Sequence, residues 1–393
     1  MDLPTAPSTG EIESRVRALA ARIDGRFHAA LISHPTDLQY FAGTTQDATL
    51  VVRATGEATL LARKSFSRAR AESPLTDVRE LRSPRDIATL AAPGGKAVHL
   101  GACLDVWPAA AYRRVLDALP AGSSIDDISS DVKRLRSVKS PWEIACVRAA
   151  AAQADAAFAR VREMLAPGVT ELDLSVEVES LVRRLGHDGH VRLRKPGSWL
   201  HILYVSAGES AATPSCFDGP VGSAGLHAWS SGAGRRELRE GETVMVDVVT
   251  NHLGYHADDA RVFAVGEPSG AVRAAHEWCR AAMRDLESRL VPGAAFRDVY
   301  DACSRIFAAR GEPEGFMGFG ENRVRFFGHG VGLELDEWPV IAPNFDGVVE
   351  PGMVIAIEPK ALSPTLGPAG IENTCVVTES GLVSLCSAPE EMV

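Results

Sequence analysis

The sequence predicts two domains that both combine helices and strands, an α/β domain over residues 1–135 and an α+β domain over residues 136–393. The first reason is length, because 393 residues are enough for two separate hydrophobic cores. The second is the alternation of short apolar runs with helical segments in the first part of the chain. The third is the order of the second part, where two helices and a hairpin are followed by two more helices and further strands.

The composition is that of a soluble globular protein, with 46% hydrophobic and 23% charged residues. The formal net charge of -10 is spread along the chain, which argues against nucleic acid or an anionic membrane surface as a partner. No apolar run is long enough to cross a bilayer, and residues 1–10 do not resemble a signal peptide. The seven cysteines are scattered and odd in number, which is typical of reduced thiols. We therefore expect a cytoplasmic protein.

The first domain is predicted to open with an amphipathic helix over residues 11–24, where apolar residues recur at helical spacing. Four short apolar runs then predict strands, at residues 29–32, 48–52, 58–61 and 97–100. A further helical segment covers residues 106–119. This half of the chain shows no catalytic spacing, so we expect it to support dimerisation and to cover a site.

The domain boundary is predicted around residues 130–140, a basic stretch without an apolar stripe. Ser140, Pro141 and Glu143 then supply a helix N-cap, a first-position proline and a first-turn acid, for a helix that runs to about residue 165. A second helix is predicted over residues 170–185. The same kinds of residue pattern predict four further elements, which are a strand at 202–205, a loop at 219–234 and helices at 271–290 and 295–309.

The stretch from residue 241 to 263 places two acids on two strands joined by a tight turn at residues 251–254. Asp247 ends the apolar run that starts at Val244, and Asp258 follows Gly254 and Tyr255. A carboxylate on a buried strand needs a partner or a metal ion. The alternative is an aspartate whose oxygens accept hydrogen bonds from the backbone at a strand end.

Three later segments again place a metal-binding group beside a short apolar run or a glycine turn. His329 lies in a Gly-His-Gly-Val-Gly turn, Glu358 precedes a proline, and Glu372 follows Ile371. With the two aspartates, these residues supply four carboxylates and one imidazole. Such a set suits two divalent ions with bridging acids between them.

The order of these motifs resembles that of the pita-bread metallopeptidases, the group that includes methionine aminopeptidase, aminopeptidase P, prolidase and creatinase. The resemblance covers the C-terminal two thirds of the chain. Residues 34–43, HPTDLQYFAG, are similar to a stretch of the creatinase-type N-terminal domain. The resemblance implies a creatinase-type α/β domain at residues 1–135 and a pita-bread α+β catalytic domain at residues 136–393. It also implies a homodimer.

The resemblance assigns five metal ligands, Asp247, Asp258, His329, Glu358 and Glu372, with Asp258 and Glu372 as bridges. Oxygen donors with one imidazole favour Mn²⁺ or Fe²⁺, with Co²⁺ or Zn²⁺ as further possibilities. Glu358 would also act as general acid and base. Asp258 is preferred to Asp259 because the spacing from Gly254 to Arg261 matches the family, and Arg261 would support the site from behind.

Two positions depart from the peptidase pattern. Peptidase members have a histidine seven residues after the metal histidine, where this chain has Asp336, followed by Glu337. They also have a histidine about seventeen residues before the first metal aspartate, where this chain has Ser230, with His227 as the nearest substitute. A carboxylate cannot donate a hydrogen bond to an oxyanion unless it is protonated, but it can bind a substrate cation.

The leading functional prediction is a dinuclear metal hydrolase that cleaves a C–N bond in a small peptide, as an Xaa-Pro aminopeptidase or dipeptidase would. The alternative is a non-peptidase reaction, of the creatinase or lyase type, on a small cationic or carboxylate metabolite. Retention of all five ligands argues against a binding protein without catalysis. Catalytic roles are assigned to Glu358, Asp336 and His227. Substrate contacts are assigned to Asp336, Glu337, Tyr204, His190 and Arg261.

Overall fold

The computed structural model describes residues 3–195, 200–215, 217–226 and 231–392. The chain forms two compact units. One consists of Thr5–Arg136 with Arg194–Ser198, and the other of Met1–Pro4, Ser137–Leu193 and Trp199–Val393. Each unit has its own set of sheets and its own buried core.

The first unit is built on a six-stranded mixed sheet in the order β4-β3-β2-β1-β5-β6. Its strands are β1 (Ala29–Ile32), β2 (Ala48–Arg53), β3 (Ala58–Ala62), β4 (Val78–Glu80), β5 (His99–Ala102) and β6 (Ser124–Asp127). Its helices are α1 (Thr9–Ile23), α2 (Pro35–Ala42), α3 (Phe66–Glu72), α4 (Pro84–Ala91), α5 (Ala109–Leu116) and α6 (Ser129–Ser137). Strand β1 pairs antiparallel with β2 and parallel with β5, and the predicted first helix and apolar strands are confirmed.

The basic stretch around residues 130–140 is mostly helical, because α6 runs as far as Ser137. The sequence shows no apolar stripe in this stretch, yet Val132 is fully buried. Arg136, also buried, donates to Asp37 over 2.7 Å. The charged residues of this helix are therefore paired rather than solvated, which a composition argument cannot detect.

In its described residues, the second unit contains four long helices and three antiparallel sheets. The helices are α7 (Pro141–Met164), α8 (Glu171–Arg184), α9 (Gly270–Glu287) and α10 (Phe296–Arg310). Helix α7 begins as predicted, with Ser140 as N-cap and Glu143 completing a capping box. Across the described ranges, no helix combines the length and the apolar character needed to cross a membrane.

The sheets of this unit bring distant segments together. Their strands are β7 (Leu203–Ala207), β8 (Thr243–His252), β9 (Tyr255–Ala264), β10 (Gly328–Gly330), β11 (Glu337–Val340), β12 (Val354–Ile357), β13 (Lys360–Ser363), β14 (Gly367–Gly370), β15 (Asn373–Thr378) and β16 (Gly381–Ser384). Strands β7-β8-β9 form one sheet, β11-β10-β12-β15-β16 a second, and β13-β14 a hairpin. Segments far apart in the sequence therefore meet beside β9 and β12.

The predicted hairpin is confirmed. Strands β8 and β9 are joined by Leu253 and Gly254, which both have positive φ, as a two-residue hairpin turn requires. The register pairs Asp247 with Ala260 and Val249 with Asp258. Because opposed residues share a face and side chains alternate along a strand, the two acids lie on one face of the hairpin.

Candidate metal centre

The five predicted ligands come from five short segments of the second unit. They are Asp247 on β8, Asp258 on β9, His329 on β10, Glu358 directly after β12, and Glu372 directly before β15. All five side chains are buried or nearly so. Three of them, Asp258, His329 and Glu372, each offer one donor atom within 4.8 Å of the other two.

Asp258 and Glu372 are brought together by backbone pairing between β9 and the segment before β15. Ala260 and Glu372 exchange both backbone hydrogen bonds, each with a donor to acceptor distance of 3.2 Å. Asp258 and Asp259 lie just before Ala260, and their side chains point to opposite faces. The carboxylate of Asp259 accepts a hydrogen bond from the amide of Thr374 over 2.9 Å, so Asp259 holds the backbone while Asp258 faces the centre.

The glycines around His329 allow the close strand packing that places its imidazole. A Cβ on Gly328 would lie 2.3 Å from the carbonyl oxygen of Ala356, and one on Gly330 would lie 2.2 Å from that of Trp338. Both neighbours are backbone atoms that cannot move aside. Any larger residue at these two positions would therefore push β10 away from its partner strands.

In its neutral form, the imidazole of His329 is held in one tautomer. Nδ1 lies 3.1 Å from the carbonyl oxygen of Gly330, which can only accept, so Nδ1 carries the proton. Nε2 then presents a lone pair toward the acids, 3.7 Å from Asp258 Oδ2 and 3.7 Å from Glu358 Oε1. A lone pair that faces carboxylates is repelled unless a cation lies between them.

Within the described part of the chain, two carboxylate oxygens at this centre lack a hydrogen-bond partner. They are Asp258 Oδ1 and Glu372 Oε1, and both belong to side chains that are more than nine-tenths buried. Buried oxygens of this kind are normally satisfied by a donor or a cation. With one ring nitrogen of His329, the side chains of Asp258 and Glu372 form a donor set of two carboxylates and one imidazole, which fits one divalent ion.

Burial and mutual repulsion act on the ionisation of these acids. Burial raises the pKa of Asp258 well above its usual range, and the charge of Asp247 adds to the effect. Burial likewise raises the pKa of Glu372, and the charge of Asp258 adds to it. For His329, burial lowers the pKa, but the carboxylates of Asp336, Glu358 and Glu372 together raise it. A bound cation would reverse the shifts of the two acids.

A lysine that the sequence analysis did not consider lies inside the same cluster. The ammonium nitrogen of Lys360 is 2.7 Å from Asp247 Oδ2, 2.9 Å from Glu358 Oε2 and 2.5 Å from Glu372 Oε2. Its side chain is only 1% exposed. Burial opposes its charge, but Asp247, Glu358 and Glu372 raise its pKa well above the usual value. Lys360 therefore carries a positive charge at this centre.

The centre opens into a cavity of about 40 Å³. Its lining includes Tyr204, Phe326 and four of the five predicted ligands, Asp247, Asp258, His329 and Glu358. Two further acids, Asp218 and Asp336, also line it, and the Asp336 side chain is about half exposed, at 51%. Asp336 Oδ1 lies 3.6 Å from His329 Nδ1. The lining therefore carries several carboxylates besides the ammonium group of Lys360.

Three residues to which the sequence assigned substrate contacts are not part of this lining, namely Glu337, Arg261 and His190. Glu337 is buried, accepts a hydrogen bond from Lys139 over 3.2 Å, and also accepts one from the amide of Glu334. Arg261 donates to four backbone carbonyls, including that of Glu372 over 2.8 Å. His190 is exposed, and its carbonyl accepts from the side chain of Asn251.

His227 and Ser230 lie outside the described residues. The sequence analysis missed Lys360 and Asp218. A signal for Lys360 was present, because it stands two residues after Glu358 in an apolar stretch where a lysine needs a buried partner. Asp218 lies in a Gly- and Pro-containing loop, where an acid gives no signal of its own.

Both parts of the chain are similar to known protein families. Residues 145–379 match the metallopeptidase family M24, and residues 15–138 match the creatinase/prolidase N-terminal domain. The probable dipeptidase PepE of Mycobacterium tuberculosis is 33% identical over 301 residues, which are 76% of this chain and 71% of that protein. The Xaa-Pro dipeptidase of Lactobacillus helveticus is 28% identical over 284 residues, or 72% of this chain and 68% of that one.

Among solved structures, the dipeptidase PepE from Mycobacterium ulcerans superimposes with a TM-score of 0.81. The two proteins are 26% identical, and the match covers 99% of each chain. Both the α/β unit and the α+β unit described above are therefore shared with that structure.

Proposed function

The chain belongs to metallopeptidase family M24, and from this membership we propose that it hydrolyses the C–N bond of a short peptide with the help of a divalent metal ion. Family membership also confirms the predicted pita-bread fold with its creatinase-type N-terminal domain. The observation that carries the proposal is the group formed by Asp258, His329 and Glu372. Two of its carboxylate oxygens are buried without a hydrogen-bond partner in the described part of the chain, and the three side chains form a donor set for one ion.

When bound there, a divalent ion would lower the pKa of a coordinated water and polarise the carbonyl of the substrate. The position of Glu358 supports a role in transferring a proton from that water to the leaving nitrogen. It lines the cavity, its Oε2 accepts a hydrogen bond from Lys360 over 2.9 Å, and its Oε1 faces His329. A carboxylate held at one oxygen can take a proton from water and deliver it to the leaving nitrogen through the other. We therefore assign Glu358 the role of general base and acid.

We propose Xaa-Pro dipeptides as the first substrates to test, following the names of the relatives. Asp218 and Asp336 support binding of a cationic group at the mouth of the cavity, such as the free amino terminus of a dipeptide. The same two acids favour a second candidate, a small cationic metabolite with a hydrolysable C–N bond. Acetylation of the amino terminus removes the positive charge of the dipeptide and leaves its Xaa-Pro amide intact. It therefore separates the contribution of the charge from that of the amide.

The direct test is hydrolysis of Xaa-Pro dipeptides by chelated protein and by protein reloaded with Mn²⁺. We expect activity only after reloading, and none from His329→Ala. His99→Ala, on the exposed surface of the first unit, is the matched control and should keep full activity. Equal hydrolysis with and without metal, or by His329→Ala, would overturn the proposal.

Mn²⁺ is the ion we propose, because carboxylates with one imidazole suit harder ions. We also propose that the domain boundary lies between residues 135 and 136 and that the protein is a homodimer, as the family resemblance suggests. A cytoplasmic location is supported by six buried cysteines, none of which forms a disulfide within the described part of the chain. Light scattering at micromolar concentration tests the dimer, and a monomeric mass would refute it.

A further inference from the structure

We infer that the ammonium group of Lys360 acts as the second cation of this centre, so that the protein binds a single divalent ion at Asp258, His329 and Glu372. The inference deepens the proposed metal-dependent function and rests on it. It replaces the two ions that the sequence predicts with one ion and one fixed side-chain charge.

The first argument is that Lys360 uses its full bonding capacity inside the cluster. An ammonium group has three N–H donors and no acceptor. The three acceptors are carboxylate oxygens of Asp247, Glu358 and Glu372, at 2.5 to 2.9 Å. These are charge-assisted hydrogen bonds of short length, the strongest kind available to a lysine.

The second argument is competition for the same oxygens. In the five-ligand arrangement, Asp247 and Glu372 would both contribute to a second ion. Two of the oxygens that such an ion would need, Asp247 Oδ2 and Glu372 Oε2, are the two that lie closest to the lysine nitrogen. An ion bound at the usual distance of about 2.0–2.2 Å from these oxygens would lie against the ammonium group. Two cations at that separation repel each other strongly.

The third argument is that the main chain of Lys360 is fixed beside the cluster. Its carbonyl accepts from the amide of Met317 over 2.8 Å, and its main chain pairs with Gly370. The packing there is close, because a Cβ on Gly370 would lie 2.6 Å from the Cα of Lys360. An ion that took the carboxylates would leave a buried ammonium without counter-ions, which is strongly unfavourable.

The fourth argument is that the atoms still in need of a cation belong to the three residues whose donor atoms lie within 4.8 Å of one another. Asp258 Oδ1 and Glu372 Oε1 are buried without a partner, and the lone pair of His329 Nε2 faces the same acids. Among the hydrogen bonds of the described residues, Lys360 bonds to Glu372 through Oε2, but not to Asp258 or His329. One ion therefore completes the centre.

The experiment is a count of metal per chain. Wild-type protein, Lys360→Met and Lys139→Met are stripped with a chelator, equilibrated with excess Mn²⁺, freed of unbound ion and analysed for manganese. Lys139→Met is the matched control, since it removes another buried lysine that pairs with a carboxylate in the same unit. Electron paramagnetic resonance on the same samples separates isolated Mn²⁺ from exchange-coupled pairs, and circular dichroism confirms folding.

We expect one Mn²⁺ per chain with an isolated-ion spectrum for the wild type and for Lys139→Met. Lys360→Met is expected to bind two ions, with a coupled spectrum. Two ions in the wild type would overturn the inference and leave the proposed function standing. A folded Lys360→Met that still binds one ion would also overturn it. Metal-free wild type that remains active would refute the proposed function itself, so the two failures are distinguishable.

Discussion

The hydroxyl of Thr374 bonds to both backbone groups of Asp258. Its Oγ1 lies 2.8 Å from the amide nitrogen, which donates to it, and 2.7 Å from the carbonyl oxygen, which accepts from it. Thr374 is fully buried, and it stands two residues after Glu372. One hydroxyl thus fixes the strand that carries Asp258 against the segment that carries Glu372.

Replacing that hydroxyl tests whether the pairing positions the metal ligands. Thr374→Val should lower the free energy of unfolding by about 1–3 kcal/mol, because two buried backbone groups lose their partner. It should also weaken Mn²⁺ binding, measured by calorimetric titration. Thr250→Val is the control, since Thr250 is equally buried. Its hydroxyl donates to the carbonyl oxygen of Ala150 over 2.8 Å, and neither residue is a predicted metal ligand. Equal metal affinity in the two variants would show that Thr374 is only structural.

Metal should stabilise the folded protein, because the donor set formed by Asp258, His329 and Glu372 exists only in the folded chain. At a free ion concentration of 100 times the Kd, linkage predicts a gain of about 2.7 kcal/mol in the free energy of unfolding. Differential scanning calorimetry should therefore show a higher Tm with Mn²⁺ than with a chelator. Asp258→Ala should lose most of its bound metal and most of this difference. A full shift in that variant would contradict the ligand assignment.

Asp336 is expected to bind the cationic end of the substrate. Asp336→Asn should raise KM and lower kcat/KM by about tenfold, at the low end for a charged hydrogen bond because the side chain is half exposed. Manganese content should not change. Asp346→Asn, another exposed acid in the same unit, is the control and should keep the wild-type kinetics. Unchanged KM in Asp336→Asn would show that the acid has no part in recognition.

His34, in the first unit, gives the protein a defined sensitivity to acid. Burial lowers its pKa from 6.5 to about 4; Asp37 opposes the shift, and Arg194 and Arg136 reinforce it. The unfolded chain therefore binds a proton at higher pH than the folded chain does. Stability from this group is complete above about pH 6.5 and is lost as the pH falls toward 4.

At about pH 5 the loss from His34 amounts to about 2 kcal/mol. His34→Gln cannot take up the proton, so its unfolding free energy should fall less between about pH 7.5 and 5 than that of the wild type. Urea unfolding at both pH values measures the difference. A parallel fall in the two proteins would remove His34 as the cause.

The parts of the centre that follow from local rules could be predicted from the sequence. Alternation along β9 separates Asp258 from Asp259, and the tight turn after His252 fixes the register that places Asp247 on the same face. The proximity of Glu372 could not be predicted in this way, because it depends on a backbone pair between Ala260 and a residue more than a hundred positions later. The order of motifs supplied that link only through the family resemblance.

Lys360 shows a different limit of sequence reasoning. The sequence predicted a metal ligand at Glu358, two residues before Lys360. Pro359 separates the two residues, and the strand is interrupted there. The direction of the lysine side chain is therefore not fixed by alternation. Helix α6 was missed for a related reason, since the partner of Arg136 lies on another helix at Asp37.

The cavity of about 40 Å³ has room for a few water molecules and is too small for a dipeptide. We expect binding of a dipeptide to displace lining segments such as residues 217–221 and the side chain of Phe326, and release of the products to reverse that motion. Turnover would then contain an opening and a closing step whose rate is independent of the bond being cleaved. If that step is the slowest, kcat will fall as solvent viscosity rises and will be similar for good and poor Xaa-Pro leaving groups.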